Sequence, residues 1–102
     1  MVSGTAPVWP DGHVDPDVAA QTRRCLEIVI AAIEALGAAP ADVVRTRTYL
    51  VDARDQEEVG RVHGESFGGI RPAATMVVVA ALLDPRWKVE LEAEAVIGAG
   101  SA

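Results

Sequence analysis

Two rhythms of apolar and polar positions run through this chain. Val18, Thr22, Cys25, Val29, Ile33 and Leu36 recur at intervals of three and four, the spacing that lines one face of an α-helix. Asp15-Pro16-Asp17 predicts where that helix starts, with Asp15 as N-cap acceptor, Pro16 in the first helical position and Asp17 near the positive helix end. Gly37 predicts where it stops. Residues 43–51, VVRTRTYLV, are β-branched and short, which predicts a strand. Alternation puts Val44, Thr46, Thr48 and Leu50 on one face and Arg45, Arg47, Tyr49 and Val51 on the other.

Asp52 offers a cap for a second helix over about residues 55–66, with Val59, Val62, His63 and Phe67 on one side and Gly68-Gly69 at the end. The continuous apolar run of residues 74–83, ATMVVVAALL, predicts a strand covered on both faces. After a turn at Asp84-Pro85-Arg86, residues 87–97 alternate cleanly. Trp87, Val89, Leu91, Ala93, Ala95 and Ile97 share one side, and Lys88, Glu90, Glu92 and Glu94 share the other. The opening MVSG is too short to stand as an independent strand and reads as a strand remnant, followed by a loop rich in Pro and Asp. The order predicts an α+β domain spanning 1–102, with both helices packed on one face of a mixed sheet.

Composition narrows the function classes. A net charge of −6 argues against nucleic acid as a partner, because phosphate binding needs clustered cations. One cysteine excludes an internal disulfide and a multi-cysteine metal site, and the histidines and carboxylates show no ligand spacing, so no metal or cofactor is expected. The apolar runs fall short of a membrane span and no signal segment opens the chain, which predicts a cytoplasmic protein. With 4% aromatic residues, added burial through self-association would help so small a domain.

Candidate chemistry sits on the two alternating strands. Glu90, Glu92 and Glu94 repeat at the same two-residue spacing as Arg45 and Arg47, so neighbouring strands would pair them across the sheet. Such a ladder is either a polar face or subunit seam, or it holds a carboxylate that activates water. Cys25 and His63 lie on helical stripes and read as packed residues. Esterase and phosphate-loop motifs are absent.

An ordered set of strings adds to this reading. Val2-Ser3-Gly4, Ala20-Gln21-Thr22, Asp42 to Thr46, Tyr49 to Asp52, Phe67-Gly68, Arg71 to Thr75 and Val89 to Ala95 closely resemble the RidA/YjgF (Rid, reactive intermediate deaminase) family over nearly the whole chain. The resemblance implies a chorismate-mutase-like fold assembled as a homotrimer, with small carboxylates or imines bound in clefts between subunits. Well-studied members hydrolyse enamines and imines to 2-oxo acids and ammonia, and others are known chiefly as ligand binders. By the same resemblance, Glu90 is the water-orienting carboxylate, while Gly4 and the backbone at Thr75 and Met76 help position the substrate. The family's carboxylate-gripping arginine falls on Ala74, which leaves Arg71 as a displaced candidate. Gly60 and His63 replace an Asn and a Tyr. Family members also carry a longer segment before the Ser-Gly, so the domain is expected to be short at its N-terminus.

Overall fold

The computed structural model describes residues 2–70 and 72–99. Six main elements follow one another: β1 (Val2–Thr5), α1 (Val18–Ala35), β2 (Val43–Leu50), α2 (Gln56–Phe67), β3 (Ala73–Val78) and β4 (Val89–Ala95). The strands form one sheet in the order β1-β4-β2-β3. Pairing is antiparallel for β1 with β4 and for β4 with β2, and parallel for β2 with β3, as a crossover through α2 requires. Among the described residues no helix is long and apolar enough to cross a membrane.

Both helices lie on one sheet face. Their stripes meet the inward side of the strands in a core that includes Cys25, Leu26, Val29, Ile33, Leu50, Val59, Val62, Phe67, Val89 and Leu91. The fully buried Gln21 joins α1 to the start of β4. Its Nε2 donates to the carbonyls of Asp15 (2.7 Å) and Arg86 (2.9 Å), and its Oε1 accepts from Lys88 N (2.7 Å). The sequence reading gave this residue no role, because its partners come from two distant segments.

Several elements depart from the expected boundaries. Helix α1 is capped by Asp17, whose carboxylate accepts from Ala20 N. Asp15 instead accepts from Asp17 N at 2.8 Å, a local turn that delays the helix by two residues. Leu36 is the C-cap and 68% exposed, so the buried stripe ends at Ile33, and Gly37 follows in the left-handed region at φ +91°. In β2 a register shift between Val43 and Arg45 turns Val43 inward and leaves Val44 exposed. The short opening strand is a paired member of the sheet. Asp52 caps a single 3-10 turn, Ala53–Asp55, before α2 begins.

The largest correction concerns β3. The strand ends at Val78, lies at the sheet edge, and within one chain only Met76 among its residues is partly covered. After Val79 N donates to Leu50 O at 2.7 Å the chain leaves the sheet, and Leu83 stands 96% exposed. Similarly, β4 stops at Ala95, leaving Val96 and Ile97 largely exposed. Among the described residues no element supplies the second apolar layer that a doubly covered strand needs.

Candidate functional site

The face opposite the helices carries the polar ladder. Register sets Tyr49 beside Glu90, Arg47 beside Glu92 and Arg45 beside Glu94. Arg47 Nη1 lies 3.2 Å from Glu92 Oε1, and the Tyr49 hydroxyl donates to the same oxygen at 2.9 Å. Arg45, Arg47, Tyr49, Glu92 and Glu94 line a shallow cleft of about 240 Å³. Glu92 is therefore committed to holding neighbouring side chains.

Glu90 differs from Glu92 in one respect that matters chemically. Its half-buried carboxylate makes no hydrogen bond or ion pair with the described residues. Gly4 lies against it, and a Cβ added there would stand 3.3 Å from Glu90 Oε1. The bare glycine backbone leaves that oxygen approachable. A half-buried carboxylate with open lone pairs can hold a water molecule and take its proton.

Cys25 lies beneath this corner, with its thiol 3.3 Å from the Thr5 carbonyl oxygen. Burial, with the Glu90 charge adding to it, pushes the thiol up to about 12, which makes it an inert core residue at neutral pH. His63 is half-buried, as its stripe implied. Its Nε2 stands 2.8 Å from Thr46 Oγ1, its ring packs 5.1 Å from that of Phe67, and burial lowers its pKa.

The expected site residues fall into two groups. Glu90 and Gly4 meet at the β4–β1 side of the sheet. Ala74, Thr75 and Met76 belong to β3, with β2 between them and β4. Their register partners are Thr46, Arg47 and Thr48. Ala74 and Met76 thus share the helix-facing side with Thr46 and Thr48, whereas Thr75 is exposed on the ladder side. A single chain does not bring Ala74 to face Glu90. Arg71 lies outside the described residues.

With this geometry in place, likeness to known proteins becomes informative. The family model described as Endoribonuclease L-PSP matches residues 1–97. The 2-iminobutanoate/2-iminopropanoate deaminase of Escherichia coli is 39% identical over 101 residues, covering 94% of this chain and 77% of the relative. The chain belongs to the RidA/YjgF family. The structure of Rv2704 from Mycobacterium tuberculosis, a member of the YjgF/YER057c/UK114 family, superposes with a TM-score of 0.84 at 44% identity, over 93% of this chain and 75% of that one. E. coli TdcF, solved with bound serine, gives 0.85 at 33% identity, over 92% and 76%. The mixed sheet with two helices on one face is thus the Rid fold.

Proposed function

We propose that this Rid-family domain forms a cytoplasmic homotrimer that binds small 2-oxo or 2-imino acids in clefts between subunits and hydrolyses the imines to 2-oxo acids and ammonia. The observation that carries the reading is the half-buried Glu90 carboxylate, unpaired among the described residues, beside the bare backbone of Gly4. The named activity of the E. coli relative supports it. So does the separation of the two residue groups, which a neighbouring chain could complete. The uncovered β3 edge and the exposed Val78, Leu83 and Ile97 offer the surface for such packing.

In the reaction, Glu90 takes a proton as the water oxygen bonds to the imine carbon and the C=N bond becomes a single bond. Returning that proton to nitrogen gives a carbinolamine; passing the remaining hydroxyl proton to nitrogen, again through Glu90, lets the C–N bond break and releases ammonia as the carbonyl forms. Gly4 and the backbone at Thr75 and Met76 position the substrate, and Arg71 is the candidate cation for its carboxylate. No metal or cofactor enters this scheme.

The experiment follows hydrolysis of freshly generated 2-aminoacrylate and 2-iminobutanoate with and without the protein. Acceleration by the wild type, lost in Glu90→Ala, is the expected result. A wild type that leaves the solution rate unchanged sinks the catalytic reading.

Ala74 in place of the arginine favours a second reading, a ligand-binding trimer without turnover. That reading requires saturable stabilisation by a 2-oxo acid together with no rate enhancement. RNA cleavage, the activity in the family model's description, has no basic track to support it at a net charge of −6.

A further inference from the structure

His63 stands between two glycines on α2. Gly60 lies one turn before His63 and Gly64 follows it directly; a Cβ at either glycine would meet nothing within 4 Å. From this bare surface the His63 ring reaches the sheet, its Nε2 2.8 Å from Thr46 Oγ1. Thr46 is the register partner of Ala74 on the neighbouring parallel strand. Their side chains therefore leave the same sheet face side by side, roughly 4.8 Å apart along the hydrogen-bonding direction. The imidazole thus contacts the residue that neighbours the small, exposed Ala74 across the β2–β3 pairing.

The second ring nitrogen, Nδ1, has no hydrogen-bond partner among the described residues and is not sealed from solvent. When the Thr46 hydroxyl donates to Nε2, the ring proton resides on Nδ1 and the free nitrogen becomes a donor.

We infer that His63 is a ligand-binding residue beside Ala74, donating its Nδ1–H to a carbonyl or carboxylate oxygen of the substrate, with Thr46 as its positioning residue. The inference rests on the proposed function for the substrate's place beside the backbone of Thr75 and Met76, and departs from it in giving the oxygen-bearing end to His63 rather than to Arg71. Burial lowers the ring's pKa and so favours the neutral form at neutral pH. A neutral donor gives one ordinary hydrogen bond where a guanidinium gives two charge-assisted ones. The ligand class therefore widens from carboxylates to small carbonyl compounds with a neutral acceptor oxygen.

Calorimetry on the full chain at neutral pH, with 2-oxobutanoate and its methyl ester as probes, tests this. The wild type is expected to bind both within about threefold of each other, and His63→Phe to weaken both about fivefold, the value of one neutral hydrogen bond. His63→Gln, which keeps an N–H donor, should stay within about twofold of the wild type. Ala74→Arg should tighten the acid alone, by about tenfold or more.

Undiminished binding by His63→Phe overturns the inference, as does a loss in His63→Gln equal to that in His63→Phe. A strong preference for the acid that disappears in Arg71→Ala assigns the anchor to Arg71 and overturns it as well. A wild type that binds neither probe removes the proposed function along with it. Binding that is intact in the wild type and indifferent to residue 63 removes this inference alone.

Discussion

At the residue scale, burial decides what each polar group can do. Gln21 places three hydrogen bonds in the core. Replacing it with Ala strands two carbonyls and an amide and should destabilise the fold by about 2–4 kcal/mol, read as a lower urea midpoint at unchanged m-value. Cys25 gives a signed pH dependence. The unfolded thiol ionises near 9 while the folded one holds its proton to about 12. Stability should therefore fall as pH rises from 9 towards 12, and Cys25→Ser should flatten that slope in alkaline denaturation curves. At neutral pH the native thiol should resist alkylation until the chain unfolds. The core role of Cys25 was legible from its stripe, whereas the anchoring role of Gln21 was not, since its partners lie up to 67 residues away.

Elements position the Glu90 corner. Strand β1 runs antiparallel to β4 with a register shift between Val2 and Thr5, and Gly4 lies within that stretch against the Glu90 side chain. Gly4→Ala should push the carboxylate by a few tenths of an ångström, because the obstructing atom ends a flexible side chain. The expected outcome is a several-fold drop in imine turnover with a nearly unchanged melting temperature. An equal loss of both would mean that Gly4 serves the strand rather than the site. Alternation alone predicted the two faces of β4 and the Arg–Glu ladder. It could not separate Glu90 from Glu92, because the distinction arises from which neighbours have reach: Arg47 and Tyr49 both turn to Glu92.

For the whole molecule, exposed apolar surface and a divided site point the same way. Val78, Leu83, Val96 and Ile97 are 55–96% exposed in the isolated chain, and β3 presents an open sheet edge. If the proposed homotrimer forms through this surface, sedimentation gives a species of three 10.7 kDa chains. Leu83→Lys, or Val78→Lys on the edge strand, should shift it towards monomer and abolish turnover while leaving Glu90 intact. Monomeric protein with full activity would refute the shared-cleft reading.

The sequence by itself determined the helix stripes, the alternation of β4, the α+β class and family membership, because these depend on local spacing and an ordered set of strings. Its boundaries erred where side chains compete locally for backbone groups, as Asp15 does ahead of α1. Only the tertiary structure decided that the apolar run of residues 74–83 begins as an uncovered edge strand, that Glu92 is bound while Glu90 meets no partner among the described residues, and that His63 reaches Thr46, the register partner of Ala74. Each of these depends on which distant segments become neighbours, and strand order, unlike spacing, is fixed only when the chain packs.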